Sequence, residues 1–373
     1  MLTVRALACI AVIWTHIYPS ITERMVGNLF TPLFHPNASA AVFIFYFFSA
    51  YGIGYGFASG KYTYSARSIL GYYFNRILRI VPLYYLGLIV VLFVFFRDVP
   101  VENKVILRLL TFTATDSYNL PASIKVWFMI STMMQFYLIM PILFYVIQRV
   151  FRRIPFVLSL LGIFIIGTLI RAYFLTLGIE NDGIYIQRIY TTVLGNVDTF
   201  MAGLLVSMKV YEKRTISNSN YFIPVYVLIL IGWYWWTSNL QYMILRGNWF
   251  IPWRNQMMFL LPPTTSFVVG GYILLSQKMQ NTKIYVSRNL LKACIKPIQY
   301  LNIIGVLSYG LYLWHAPIAS YIFQNYGVPT GIFQTIERMG IVFGTSLILA
   351  FVSYVLIEEP ALRMKAFLGS RRT

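Results

Sequence analysis

The stretch between Ala38 and Ala58, ASAAVFIFYFFSAYGIGYGFA, contains no Asp, Glu, Lys or Arg. A helix that crosses the hydrocarbon core of a bilayer needs about 20 predominantly apolar residues. This stretch therefore predicts a membrane-spanning helix. Residues 126–148 and 256–276 are equally free of charged side chains and predict two further spans.

The composition of the whole chain is typical of a membrane protein. Of its 373 residues, 58% are hydrophobic and 11% are charged. A soluble protein would have roughly a quarter of its residues charged, so a soluble fold is excluded. The net charge is +19, but the basic residues lie between long apolar runs, which argues against a nucleic-acid partner. Two cysteines, Cys9 and Cys294, are too few for a disulfide framework.

Apolar windows of spanning length recur along the chain, and we predict about ten transmembrane helices from them. The windows are 3–21, 38–58, 80–96, 126–148, 154–175, 189–208, 220–238, 256–276, 298–323 and 338–357. The first could instead be a signal peptide, although no small-residue cleavage site is evident. No repeat or linker divides the chain. We therefore expect an all-α integral membrane protein with a single domain over residues 1–373 and no fused extracytoplasmic domain.

The loops between these windows differ in charge. With ten spans, most of the 30 Lys and Arg residues fall on the side that also holds both termini. Most of the 11 acidic residues fall in the opposite loops. Cytoplasmic loops carry an excess of Lys and Arg, so we predict cytoplasmic termini and a multi-pass location in the cytoplasmic (inner) membrane.

Ionisable residues inside spans are expensive in lipid and are therefore candidates for function. Arg5 and His16 are eleven positions apart, almost three helical turns, so they share a helix face about 16 Å long. A neutral imidazole there could act as a general base on a hydroxyl, or it could only form a packing hydrogen bond. Ser308 and His315 share a face of a later span in the same way.

Two arginines lie three positions apart at the start of the 80–96 window. Arg76 and Arg79 could clamp a phosphorylated ligand through their forked donors. The alternative is that they anchor the helix to lipid headgroups. Pro82 is expected at the beginning of the following span, where its missing N–H is harmless.

Three further positions can be interpreted in two ways. Asp198 lies in an apolar window and either pairs with a basic group or lines a cavity. Glu358 and its neighbour Glu359 end the last span, where they are either solvated or paired with an arginine. Trp127 is expected where its span meets the outer interface, since tryptophans are enriched there as anchors.

Taken together, five segments resemble the motifs of membrane-bound acyltransferase family 3, whose ten-span members acylate cell-surface carbohydrates. They are RALACIAVIWTH at 5–16, FFSAYG at 47–52, RILRIVPLY at 76–84, SYGLYLWHAP at 308–317 and SYVLIEEP at 353–360. Two departures exist. Ala50 replaces the usual glycine, and the segment from Trp127 to Tyr137 lacks the acid found in many relatives. No glutamate near Trp127 is therefore given a role.

The resemblance implies an O-acetyltransferase that uses cytoplasmic acetyl-CoA as its acyl donor. The acceptor would be a hydroxyl of a surface or lipid-linked glycan such as O-antigen, capsule or exopolysaccharide. No metal or permanently bound cofactor is implied, and membrane lipids are the other expected partners. The candidate residues are Arg5, His16, His315 and Glu358 for catalysis, Arg76, Arg79 and Tyr84 for the donor, and Ser49, Trp127, Tyr137, Asp198 and Ser308 for the substrate cavity.

Two other classes of protein fit parts of this pattern. A flippase or transporter of lipid-linked sugars would also need many spans and a few buried polar groups, but the inverted repeats of many transporters are not apparent. An integral acyltransferase that modifies lipoteichoic acid or a protein would share the membrane histidine. Transfer of acetyl groups from acetyl-CoA distinguishes an acyltransferase from a flippase.

Overall fold

The computed structural model describes residues 1–17, 35–95, 101–115, 120–176, 189–212, 222–245, 256–280, 299–329 and 332–370. Throughout these ranges the regular secondary structure is helical, as predicted. The α-helices are α1 (Leu2–Ile17), α2 (Ala38–Ala58), α3 (Ala66–Val90), α4 (Asn103–Leu110), α5 (Phe128–Val150), α6 (Phe156–Thr176), α7 (Val197–Tyr211), α8 (Phe222–Leu245), α9 (Leu261–Gln280), α10 (Gln299–Val306), α11 (Ser308–Tyr326), α12 (Ile332–Ser353) and α13 (Glu359–Ser370).

Most of the predicted windows coincide with helices that could cross a membrane. Six segments are long and apolar enough: Ala38–Ala58, Ala66–Val94, Ser123–Arg153, Phe156–Thr176, Gln256–Gln277 and Phe333–Met364. Helices α10 and α11 meet at an angle of 70° and make a seventh if they form one span. The helices in windows 3–21, 189–208 and 220–238 are shorter or less apolar. The count of about ten and the cytoplasmic termini therefore stay predictions.

Helix α2 lies at the centre of the bundle, between α1, α5, α7 and α9. Small residues bring α2 and α7 close together. A Cβ atom on Gly203 would lie 2.5 Å from the carbonyl oxygen of Phe47, and one on Gly54 would lie 2.3 Å from Oγ of Ser207. Small residues at such crossings let two backbones approach closely, and this contributes to helix association in lipid.

Helix α3 begins well before the predicted window. Its first residue follows Ser65, whose hydroxyl accepts a hydrogen bond from the amide of Ser68 and caps the helix. Pro82 consequently lies inside α3, and its predicted position at the start of a span is wrong. A hydropathy window detects only the apolar part of a helix, so it missed the first turns. The same extension places Arg76 and Arg79 on the helix itself.

A buried ion pair ties α6 to α7. The guanidinium of Arg171 donates two hydrogen bonds to the carboxylate of Asp198, of 3.0 and 2.8 Å, and a third to the carbonyl of Gly195. Both side chains of the pair are fully buried. Gly167 leaves room for the carboxylate, since a Cβ there would lie 2.6 Å from Cγ of Asp198. Of the two interpretations of Asp198, pairing with a basic group is confirmed.

Candidate functional site

A cavity of about 470 Å³ lies between α1, α2, α3, α5 and α11. Its lining combines cationic, hydroxyl-bearing and apolar side chains from distant parts of the chain. Six residues that the sequence singled out line it together: Arg5, Ser49, Arg76, Arg79, Tyr137 and Ser308. The structure therefore brings the two arginines of α3 to the same cavity as the arginine of α1.

Aromatic rings hold Arg76 in place at this cavity. Its guanidinium carbon lies 5.8 Å from the ring centroid of Tyr72 and 5.7 Å from that of Tyr137. Cations in such positions are attracted by the faces of the rings. The hydroxyls of Tyr137 and Ser49 share a hydrogen bond of 2.6 Å. Among the described residues, Nε of Arg76 has no hydrogen-bond partner, so one of its donors stays unused.

Glu358 supplies negative charge behind the cavity. It ends a π-helical turn, Tyr354–Glu358, between α12 and α13, and it is 8% exposed. Its charge interacts with those of Arg79 and Arg5. Its Oε1 atom has no hydrogen-bond partner in the described part of the chain. Single π-helical turns are frequent at functional sites, and here the turn carries a buried acid whose charge interacts with two arginines of the cavity.

Two histidines meet beyond this cavity. The ring centroids of His16 and His315 are 5.2 Å apart, with an angle of 55° between the ring planes. Nδ1 of His16 lies 2.7 Å from the carbonyl oxygen of Val12, and Nδ1 of His315 lies 2.7 Å from that of Tyr312. A carbonyl oxygen only accepts, so each Nδ1 carries the hydrogen. In the neutral rings both Nε2 atoms therefore have a free lone pair.

The two imidazoles differ in accessibility. His315 is fully buried, and its Nε2 has no hydrogen-bond partner among the described residues. His16 is half-buried, so its ring is the more exposed of the two. The two histidines can thus accept a proton from a hydroxyl that enters beside His16.

The side chain of Tyr312 links the histidine pair to the cavity. Tyr312 lines the cavity, and its ring centroid is 5.6 Å from that of His315. Arg5 and His16 lie on one face of α1, about 16 Å apart along the helix axis. The arginines and the histidines therefore lie toward opposite ends of α1, on the same face of that helix.

Besides Glu358 and the two histidines, three further predicted residues do not line this cavity. The hydroxyl of Tyr84 donates to the carbonyl of Leu109 at 3.0 Å, and the indole N–H of Trp127 donates to the carbonyl of Leu313 at 3.1 Å. Both side chains are fully buried, so the prediction that Trp127 is an interfacial anchor is wrong. Asp198 is engaged by Arg171, as described above. These contacts join neighbouring segments of the bundle, and the substrate roles of the three residues stay predictions.

The sequence did not single out several residues that line the cavity. They are aromatic, methionine and aliphatic side chains, among them Phe45, Met129, Ile130 and Met133. Nothing in their spacing distinguishes them from the many other apolar residues of the spans. Glu359, the neighbour of Glu358, pairs with Arg363 on the exposed surface. Within the described ranges, no three His, Cys, Asp or Glu residues are grouped as metal ligands would be.

The described helices form an apolar bundle that carries three arginines around one cavity and a pair of histidines beyond it. A family model described as an acyltransferase domain matches residues 3–356. The chain therefore belongs to the acyltransferase family 3 that its motifs resemble, and it is an enzyme. No curated protein and no solved structure matches it.

Proposed function

We propose that this protein is a membrane O-acetyltransferase that transfers an acetyl group from acetyl-CoA to a hydroxyl of a cell-surface or lipid-linked carbohydrate. One arrangement supports this proposal above all. Three arginines surround a cavity at one end of α1, and a histidine with a free Nε2 lies at the other end. Such a site can hold a phosphorylated donor and deprotonate a hydroxyl acceptor.

The cavity suits the donor because its lining is both cationic and apolar. Arg5, Arg76 and Arg79 present forked N–H donors, which match the oxygens of phosphate groups. Met129 and Met133 offer apolar surface along the same wall. Acetyl-CoA combines phosphates with a long and largely uncharged arm that ends in the thioester. In this proposal it enters from the cytoplasm as a substrate, and the enzyme lies in the inner membrane.

The reaction requires one proton transfer and one exchange of bonds. Nε2 of His16 takes the proton of the acceptor hydroxyl. The hydroxyl oxygen attacks the carbonyl carbon of the thioester, so a C–O bond forms and the C–S bond breaks. The thiolate of CoA leaves and takes that proton from His16, so one proton passes from the acceptor to CoA and the imidazole is neutral again. The products are an acetyl ester and free CoA.

A covalent route through His16 gives the same products. In that route Nε2 attacks the thioester first, CoA leaves as the thiol, and the acceptor hydroxyl then takes the acetyl group from the imidazole. The two routes differ in one observable. Only the covalent route leaves labelled acetyl on the protein when acetyl-CoA is supplied without an acceptor.

The proposal is tested on membranes that contain the protein. In one experiment, radiolabelled acetyl-CoA is supplied to these membranes. In a second experiment, mass spectrometry compares the surface glycans of cells with and without the gene. We expect the loss of an acetyl mass from one glycan, which identifies both the group and the acceptor. A flippase would consume no acetyl-CoA. A correctly inserted His16→Ala variant that acetylates its glycan fully would overturn the role of His16.

A further inference from the structure

A second cavity, of about 600 Å³, lies between α1, α2, α8 and α9. We refer to it as the apolar groove. Arg5 and His16 lie on a different face of α1 from the groove, so this helix separates the groove from the arginine cavity. Five of the α1 residues that line the groove recur every three or four positions and so share a helix face: Val4, Leu7, Ala8, Ala11 and Trp14.

The surface of the groove is uncharged and almost entirely apolar. None of the described residues that line it is Asp, Glu, Lys or Arg. Its polar side chains are engaged within the protein. The amide of Asn37 donates to the carbonyl of Thr237 at 3.1 Å and accepts from the backbone N–H of Ala40 at 2.9 Å. The indole N–H of Trp233 has no partner among the described residues, but it is itself buried. A ligand in the groove would therefore meet hydrocarbon surface.

Hydrogen bonds hold the walls of the groove apart. The bond between Asn37 and Thr237 ties α8 to the residue that caps α2. The hydroxyl of Tyr226 donates to the carbonyl of Val268 and ties α8 to α9. Tyr226 and Thr237 are eleven positions apart, about 16 Å along α8. Protein interiors contain few voids larger than a water molecule, so a cavity of this size requires an occupant.

The position and length of the groove fit one lipid chain. Two of its walls, α2 and α9, belong to segments that are long and apolar enough to cross a membrane. The groove therefore lies at the depth of the lipid hydrocarbon. Val4 and Trp14 both line it and are ten positions apart, about 15 Å along α1. This length is half of the hydrocarbon core of about 30 Å, which is the share of one leaflet.

One end of the groove lies beside the residue that precedes the proposed base. Trp14, Pro36 and Asn37 line this end. The hydroxyl of Thr15 donates to the carbonyl of Pro36 at 2.9 Å, so this end is tied to the helical turn that carries His16. His16 lies at the same end of α1 but on another face. A headgroup at this end of the groove would need to pass only around the last turn of α1 to reach His16.

We infer that the apolar groove binds the hydrocarbon tail of a lipid-linked acceptor glycan. The inference rests on the proposed acetyl transfer, and it specifies that the acceptor is modified while it is still attached to its lipid. The arginine cavity holds the donor on one side of α1, and the groove holds the tail of the acceptor on another. The tail places the glycan near His16.

The first test fills the groove. Ala11 is partly buried and lines it, so Ala11→Phe places a ring inside it. The full-length protein is assayed with radiolabelled acetyl-CoA and two acceptors. One is the lipid-linked glycan extracted from cells that lack the gene, and the other is the same glycan after mild acid has removed the lipid. We expect KM for the lipid-linked glycan to rise by about threefold to tenfold. KM for the lipid-free glycan and for acetyl-CoA should stay at the wild-type value.

A second variant keeps the test valid if Ala11→Phe does not fold. Leu7 lines the groove and is 53% exposed, so Leu7→Trp narrows the groove at its open edge without disturbing buried packing. Leu161→Trp on α6 is the matched control, because Leu161 is 51% exposed and lies outside the groove. We expect only Leu7→Trp to raise KM for the lipid-linked glycan. Equal effects of the two tryptophan variants would overturn the inference.

Photolabelling distinguishes the tail of the acceptor from an ordinary membrane lipid. A phospholipid with a diazirine in its acyl chain is added to the protein, and mass spectrometry maps the labelled residues. We expect labels on groove residues such as Trp14 and Leu230, and we expect the lipid-linked glycan to displace them. Labels that persist at saturating lipid-linked glycan would assign the groove to membrane lipid and overturn the inference. The absence of labels in the groove would also overturn it.

Failure of this inference differs from failure of the proposed function. If the protein acetylates the lipid-linked and the lipid-free glycan equally well and the variants alter neither KM, the tail site is wrong and the acetyltransferase stands. If membranes consume no acetyl-CoA and deletion of the gene alters no glycan, the proposed function itself fails.

Discussion

The imidazole rings of His16 and His315 lie 5.2 Å apart although they come from opposite ends of the chain. Each ring donates its Nδ1 hydrogen to a carbonyl of its own helix, which leaves both Nε2 atoms as acceptors. The family signature around His16 is therefore only half of the arrangement. His315 adds a second unprotonated nitrogen next to that of His16.

Replacing His16 by alanine should abolish most acetyl transfer. The imidazole is the accessible base of the pair, and general base catalysis contributes about 10²–10⁴-fold to rates. We expect kcat to fall by that factor, while KM for acetyl-CoA stays near the wild-type value because the arginine cavity is intact. Single-turnover kinetics with labelled acetyl-CoA would measure both. If the variant keeps its kcat but has a raised KM for acetyl-CoA, His16 belongs to the donor site.

Replacing Arg76 by lysine should weaken donor binding. The planar guanidinium interacts with Tyr72 and Tyr137, and a lysine can neither stack in that way nor donate through a fork. We expect KM for acetyl-CoA to rise roughly tenfold or more, since hydrogen bonds to charged groups are among the strongest. Arg149→Lys is the control, because Arg149 lies over Tyr145 outside the cavity. Equal effects of both variants would contradict the assignment.

Replacing Glu358 by glutamine should destabilise the protein until a donor binds. The change removes the only acidic group whose charge is known to interact with Arg5 and Arg79 among the described residues. We expect Tm to fall by a few degrees without ligand and to recover when acetyl-CoA supplies phosphate groups.

Glu359→Gln is the control for this change. Its partner Arg363 is largely exposed, and exposed pairs contribute about 0–1 kcal/mol. The control should therefore leave Tm unchanged. If Glu358→Gln also leaves Tm unchanged, Glu358 is not the counter-ion of the two arginines.

Replacing Asp198 by asparagine should reduce stability and leave substrate specificity unaltered. Breaking a buried ion pair typically costs about 3–5 kcal/mol, because the remaining charge of Arg171 stays buried. The double variant Arg171→Met with Asp198→Leu should recover much of the loss, since it removes both charges. Thermal unfolding of both variants in detergent measures the loss of stability and its recovery. If the Asp198→Asn variant had a changed KM and a normal Tm, Asp198 would be assigned to the substrate site.

The sequence by itself determined the membrane class, the helical fold and the register within each helix. Long apolar runs can only be helices in lipid, because the backbone must satisfy its own hydrogen bonds there. Arg5 and His16 share a face because eleven residues make almost three turns, whichever helices lie beside them. The five motifs taken together were also sufficient to recognise the family, which the match over residues 3–356 confirms.

Only the tertiary structure decided which faces meet. Periodicity gives no information on neighbours distant in sequence. The pairing of Arg171 with Asp198 and the position of Glu358 near Arg5 and Arg79 were therefore not predictable. Trp127 was expected to be an interfacial anchor, but it is buried and its indole N–H donates to the carbonyl of Leu313. The physical reason is the same in each case. Local geometry fixes the direction of a side chain, whereas packing of distant helices determines what that side chain contacts.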